Sequence, residues 1–396
     1  MKVAVIGLGL MGPTLAMDCL SSKDVDQVLL VDIDENRLNK VAGDLGDPSR
    51  LKTIVQDVKD VEGLARSIKG CDVAYIALLH PLNINAIEGA IRAVAHAVDL
   101  SGPTKEEAEE IDSAAKKAGV AIIPGCGVEP GLTEMLAAYG MDMLDTVDSV
   151  DFWCGGIPQD PKPPLDYKIV FGGPYLPLWP GKVKVIDDGE ERMVKRYTLG
   201  EPIRFEGIDR ELECFYDGFP ETLYEIDKFK DVKHCTEKTV RYAGYCEKVN
   251  FLDGLGLLSR EPVDYMGQQI NPFEVFSKIV HPKVKLEEGE KDITVLRVVV
   301  QGVKDGEETT YTFNMVDYYD DDKNVTSMAK TTCYTAAIVG RMLGRNEITG
   351  LGLIPPGKII RGKNFEKLLD KLASRGVKIE QVVSKRLNLP RAAHFS

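Results

Sequence analysis

Lys2-Val3-Ala4-Val5-Ile6-Gly7-Leu8-Gly9-Leu10-Met11-Gly12 stands at the head of the chain, an apolar run that passes directly into a G-x-G-x-x-G sextet. Such sextets are common in isolation. Here the glycines follow a β-branched strand and open a helix, with Pro13 acceptable in its first turn. That context reads as a dinucleotide-binding loop: Gly7 for the tight turn, Gly9 for close approach of a pyrophosphate, Gly12 for packing of helix on strand. Free N–H groups of Leu10, Met11 and their neighbours at the helix start then face the phosphates.

The second half of this pattern is an acid at the end of the next strand. Asp32, in Leu30-Val31-Asp32-Ile33-Asp34, occupies that place. Its carboxylate can accept ribose hydroxyls and repels a 2′-phosphate, and no arginine follows immediately, so the expected cofactor is NAD rather than NADP. Ile33 follows on the same rim. Asp57 and Val58, after the third strand, are expected at the adenine edge, although a plain turn acid reads the same way. Leu78-Leu79-His80 leaves the fourth strand at the level of the nicotinamide ribose.

Outward from this loop, short Val- and Ile-rich runs alternate with amphipathic stretches as far as about residue 124. Strands are expected at 3–7, 27–31, 53–55, 73–78, 97–100 and 121–124, with helices at 35–45, 84–96 and 105–118. This predicts an α/β fold whose first domain, 1–124, is a Rossmann doubly wound parallel sheet. From 125 to 330 the texture becomes proline-rich and β-like, predicting an α+β substrate and dimerisation domain with a mixed or antiparallel sheet. Its clearest element is a hairpin, 293–303 and 309–319, around Asp305-Gly306. The apolar stretch 293–300 is expected to be covered by a second copy, giving a homodimer. Helices in 331–388 are expected to return to the first domain, and 389–396 carries no pattern.

Composition narrows the function. The 396 residues carry a net charge of −13 with 44% hydrophobic and 28% charged residues, an ordinary globular balance without the basic surface that nucleic acid or an anionic membrane requires. Eight cysteines without C-x-x-C spacing read as reduced thiols, and the glycine-broken start lacks a cleavage site; both suit a cytoplasmic protein. The five histidines show no H-E-x-x-H and no close pairing, so no metal is expected.

Four further stretches carry a resemblance: Gly155-Gly156-Ile157-Pro158-Gln159-Asp160-Pro161-Lys162-Pro163-Pro164-Leu165; Lys238-Thr239-Val240-Arg241-Tyr242-Ala243-Gly244-Tyr245; Ser327-Met328-Ala329 with Thr335-Ala336-Ala337; and Leu353-Ile354-Pro355-Pro356. Over nearly its whole length the chain resembles the saccharopine dehydrogenase-like superfamily and, within it, looks most like the lysine 6-dehydrogenases. The resemblance implies NAD-dependent oxidation of a carbon bearing an amine, for lysine giving the 6-semialdehyde and ammonia. Saccharopine reductases and carboxynorspermidine-type enzymes, which act on a secondary amine, are the alternative. A nucleotide-sensing protein without turnover is a third reading, because Tyr245 stands where the family carries a histidine.

Either chemistry needs a cation for the substrate carboxylate and an acid at the amine. Arg241 matches the arginine of the family's R-Y/W-x-G motif and is expected to grip the carboxylate bidentately, with Tyr242 and Gly244 beside it. Glu129, after the sixth strand, occupies a position where lysine 6-dehydrogenases usually carry an apolar residue and saccharopine reductases an acid. Asp99 ends the fifth strand. Asp99 and Glu129 are expected to form a catalytic pair whose closeness pushes one pKa upward. His234 is expected to be structural.

Overall fold

A computed structural model describes residues 1–172, 176–198 and 200–386; the patternless stretch 389–396 lies outside them. The first domain runs β1 (Lys2–Ile6), α1 (Gly12–Ser21), β2 (Gln27–Asp32), α2 (Glu35–Leu45), β3 (Leu51–Val55), α3 (Val61–Ser67), β4 (Val73–Ile76), α4 (Leu82–Arg92), β5 (His96–Asp99), α5 (Lys105–Ala118) and β6 (Ala121–Ile123). Its strands are parallel in the order β3-β2-β1-β4-β5-β6, the doubly wound arrangement with a switch point between β1 and β4. Helix termini follow their local chemistry. Thr104 and Glu107 form a capping box on α5, and Gly119, left-handed at φ 74°, ends it. Helix α4 stops short of the expected residue 96, because the chain turns through Val94 at φ 57° into β5.

The second domain runs α6 (Leu132–Asp142), β7 (Thr146–Pro158), β8 (Lys182–Asp187), β9 (Glu190–Lys195), β10 (Glu201–Ile203), β11 (Leu212–Asp217), β12 (His234–Tyr242), α7 (Tyr245–Gly254), β13 (Val263–Tyr265), β14 (Gln268–Ile270), α8 (Pro272–Val284), β15 (Asp292–Lys304) and β16 (Glu307–Tyr318). After it come α9 (Ser327–Gly344), β17 (Gly352–Leu353), α10 (Pro356–Ile359), α11 (Lys363–Ala373) and β18 (Glu380–Lys385). The large sheet is mixed, in the order β10-β11-β12-β7-β15-β16-β18, with β12 parallel to β7 and the other pairs of this path antiparallel. The β15–β16 strands extend further than expected and close on a two-residue turn, with Asp305 at φ 53° and Gly306 at φ 80°. Two successive positive φ values are what a primed hairpin turn demands.

Three expectations change. The apolar stretch 293–300 lies in β15, at the middle of the sheet between β7 and β16; helices α6 and α9 pack against it, so its hydrophobicity is spent inside the chain and no partner copy is needed to cover it. Helix α6 was not expected: it is buried almost all round, and a helix without a polar face shows no amphipathic period. The C-terminal segment does not return wholly to the first domain. Strand β17 extends the parallel sheet beside β6, whereas β18 pairs with β16 at the edge of the second sheet.

Helix α9 joins the domains. Thr326 caps it, and the buried Asp292 carboxylate accepts from the N–H groups of Ser327 at 2.7 Å and Met328 at 2.9 Å, a charge placed where the helix dipole favours it. Further along, buried Arg341 pairs with Asp18 of α1 at 2.7 Å, and Arg375 reaches the same carboxylate at 2.6 Å. Tyr75 donates to the Ala337 carbonyl at 3.1 Å. The nucleotide-loop helix is thereby braced by residues more than 300 positions later.

Candidate active site

The glycine loop has the geometry that a dinucleotide requires. Gly7 sits at φ 89°, and a Cβ on Gly12 would fall 2.0 Å from the Gly7 carbonyl oxygen, whereas one on Gly9 would meet nothing within 4 Å. Turn and helix packing are thus closed, and the central glycine faces open space. Asp32 is 6% exposed at the carboxyl end of β2, accepting from Leu8 N at 2.7 Å and Asp34 N at 2.9 Å. A carboxylate has about four acceptor positions, and these two N–H groups leave two of them. One sequence inference needs correcting: Arg37, on the first turn of α2, folds back to 3.3 Å from both Asp32 oxygens. Ile33 is exposed beside it. Val58 is buried in the core, and the Asp57 carboxylate accepts from Lys59 N at 2.9 Å as a turn residue.

Next to the loop, between the two domains, lies a cavity of about 480 Å³. Gly9, Leu10 and Met11 form one wall, Leu78, Leu79 and Ser101 the strand ends, Met328 and Thr332 the α9 side. Its polar equipment is Glu129, Asp217, Glu237, Thr239 and Arg241. The strand β12 explains three of these at once. Side chains alternate along a strand, so Glu237, Thr239 and Arg241 face the cavity. Lys238 turns away over the Tyr216 ring, and the Tyr242 hydroxyl donates to the Pro158 carbonyl at 2.7 Å on the opposite face.

Arg241 is 5% exposed, stacked 4.7 Å from the Tyr167 ring centre and 5.8 Å from that of Tyr245. One Nη donates to the Val240 carbonyl at 2.8 Å, and its buried Nε has no partner. The missing histidine is therefore replaced by an aromatic support for the guanidinium. Glu129 borders the cavity with its Oε2 sealed and unpartnered; burial, reinforced by Glu134 and Asp217, pushes its carboxyl up to about 8. Glu237 is raised well above the usual range by burial and by Glu129. Asp217 is satisfied by Arg196, Thr239 and the Gly218 N–H.

Several expected site residues lie elsewhere. Asp99 is wholly buried, accepting from Asn83 Nδ2 at 2.9 Å, Gly102 N at 2.6 Å and Ser101 N at 3.3 Å. Burial raises it to about 6, but it holds the turn after β5, and the acids that act on Glu129 are Glu134 and Asp217. Tyr242 belongs to the packing on the far face of β12. Gly244, at φ 88°, precedes α7 and donates to Glu213 at 3.0 Å. His80 turns outward to Glu107 at 3.1 Å. His234, half-exposed, stands 3.3 Å from Asp151. Glu237 and Asp217 were not singled out from the sequence; once Arg241 is placed in a strand, the two-residue period would have put Glu237 on its face and Tyr242 off it.

Among the described residues no cluster of three His, Cys, Asp or Glu could hold a metal ion, and no helix is long and apolar enough to cross a membrane. Two family models match in tandem: the saccharopine dehydrogenase NADP binding domain over residues 3–123 and the saccharopine dehydrogenase C-terminal domain over residues 127–377. The chain belongs to the saccharopine dehydrogenase family. This places it among NAD(P)-binding oxidoreductases. It is 22% identical to a carboxyaminopropylagmatine dehydrogenase of a Synechocystis strain, covering 97% of this chain and 98% of that one. A carboxynorspermidine synthase of Vibrio alginolyticus is 22% identical over 80% of this chain and 82% of its own. In fold it is similar to the glutamate-forming saccharopine dehydrogenase of Saccharomyces cerevisiae, with a TM-score of 0.79 at 18% identity, covering 97% of this chain and 99% of the other.

Proposed function

We propose that this family member oxidises, or in reverse forms, the C–N bond of a secondary amine that joins an amino acid to a second amine-bearing chain. The observation that carries this reading is a nine-tenths-buried Arg241 with a free Nε, in the same cavity as Glu129 and the nucleotide loop. Arg241 would hold the amino-acid carboxylate in a planar fork that lysine cannot copy. The cofactor, when bound along Gly7–Gly12 and Asp32, supplies the hydride acceptor. Glu129 takes the proton from the substrate ammonium, freeing the nitrogen lone pair that becomes part of the C=N bond. With its midpoint near 8, the carboxyl is ionised, and so able to accept that proton, on the alkaline side of neutral. Water then adds to the C=N carbon, the proton returns through Glu129, and the C–N bond breaks to carbonyl and amine.

Oxidation of lysine at its ε-carbon is the second reading. The four sequence motifs favour it, and it would use the same clamp and proton acceptor on a primary amine. NAD is proposed as the preferred cofactor, with Arg37 moving off Asp32 on binding so that the freed carboxylate takes the ribose hydroxyls and its charge opposes a 2′-phosphate. The buried free thiols fit work in the cytoplasm. The deciding experiment follows absorbance of the reduced nicotinamide with NAD or NADP and a panel of lysine, saccharopine, carboxynorspermidine and carboxyaminopropylagmatine. Turnover of a conjugate supports the proposal and turnover of lysine alone supports the second reading; silence throughout, with tight nucleotide binding, overturns both in favour of a sensor.

A further inference from the structure

The cavity has two electrically opposite poles that leave each other alone. Arg241 forms no ion pair with Glu129, Asp217 or Glu237 among the described residues, being held by the Val240 carbonyl and two tyrosine rings, while Asp217 is taken by Arg196. At the other pole Glu237 is 7% exposed, and its buried Oε2, like that of Glu129, finds no partner. A buried carboxylate oxygen without a donor is costly unless something supplies one. Arg241 is the single cation among the described residues lining the cavity, so a substrate with a second carboxylate would meet no further cation there.

The strand sets a distance between the poles. Glu237 and Arg241 are four residues apart on one face of β12, and at about 3.3 Å per residue their backbones stand about 13 Å apart. Lysine, with five carbons between its carboxyl carbon and ε-nitrogen, spans roughly half of that. Trp179, 47% exposed, also lines the cavity, and its ring already carries the Arg196 guanidinium 5.9 Å from its centre, a sign that this wall suits cationic groups.

We propose that Glu237 is the subsite for a cation at the far end of the substrate, so that β12 measures a conjugate with its carboxylate at Arg241 and an ammonium or guanidinium group at Glu237. This rests on the proposed secondary-amine chemistry, but the subsite can be tested without turnover.

Thermal-shift titration with agmatine and with norspermidine, cations lacking the carboxylate, should stabilise the wild-type protein and Arg241→Ala while leaving Glu237→Gln at least tenfold weaker in apparent affinity. A stronger response to agmatine marks the subsite as one for guanidinium, and to norspermidine as one for ammonium. In the kinetic arm, the ratio of kcat/KM for carboxyaminopropylagmatine or carboxynorspermidine over saccharopine should fall at least tenfold in Glu237→Gln, chiefly through KM, with part of it regained in Glu237→Asp. Equal protection of wild type and Glu237→Gln, or a wild-type preference for saccharopine, overturns the subsite. If the cations bind through Glu237 but no conjugate turns over, the subsite stands and the proposed reaction falls.

Discussion

Replacing Glu129 with glutamine should change how stability depends on pH. In the fold the carboxyl titrates near 8 instead of the usual 4.5, because burial disfavours its charged form and Glu134 and Asp217 add repulsion. The unfolded chain gives up this proton near the usual value, whereas the native state keeps it to about 8. Between those limits the native state binds more protons, so stability falls as pH rises. One pH unit in that window corresponds to about 1.4 kcal/mol, and because the carboxyl is already half ionised at its native midpoint, the interval from pH 6 to pH 8 corresponds to about 2 kcal/mol. The residue borders the cavity, where water screens part of the charge, so a loss of about 1–2 kcal/mol is expected from this group. Glutamine keeps the shape and does not titrate. Urea denaturation of the ligand-free protein at pH 6 and pH 8 should therefore show the wild type losing more stability than Glu129→Gln by that amount. Glu237 contributes a slope of the same sign to both proteins, so the comparison is between slopes. Equal slopes would refute the assignment of a protonated Glu129 at neutral pH.

Other expectations follow from the same geometry. Arg241→Ala should lower kcat/KM at least tenfold, about 1.4 kcal/mol or more, with nucleotide affinity within about twofold, and Arg241→Lys should recover only part; an unchanged kcat/KM would remove the clamp. Asp32→Ala should weaken NAD by about 1–3 kcal/mol and narrow its advantage over NADP, measured by fluorescence titration; equal affinities in the wild type would sink the NAD preference. Asp18→Ala leaves Arg341 buried without its partner and should cost about 3–5 kcal/mol by denaturant unfolding, whereas a cost below 1 kcal/mol would mean that the brace between α1 and α9 carries little. Self-association remains a proposal, now moved to the exposed Phe251, Tyr265, Met266 and Ile279 of α7, the β13–β14 hairpin and α8; light scattering should show a dimer that Met266→Asp and Ile279→Asp dissociate, and a wild-type monomer at micromolar concentration would end the idea.

The sequence by itself determined what neighbours along the chain can encode. The glycine turn after β1, the continuous apolar strands and period-3.6 helices of the first domain, the Asp-Gly hairpin and the capped helix α5 are short-range matters, settled by φ preference and side-chain spacing within a few residues. Arg241 was legible for a related reason, as part of a compact motif. Where Asp99 and Glu129 would point was not legible, because both end or follow strands at the same sheet edge, and only packing turned one into the interior of a turn and the other into the cavity. The acid pole likewise joins the loop after β6, the end of β11 and the face of β12, segments with no local relation to one another. The tertiary structure decided those meetings, since the burial that raises a carboxyl and the separation that keeps Arg241 unpaired arise only when distant elements close around the same space.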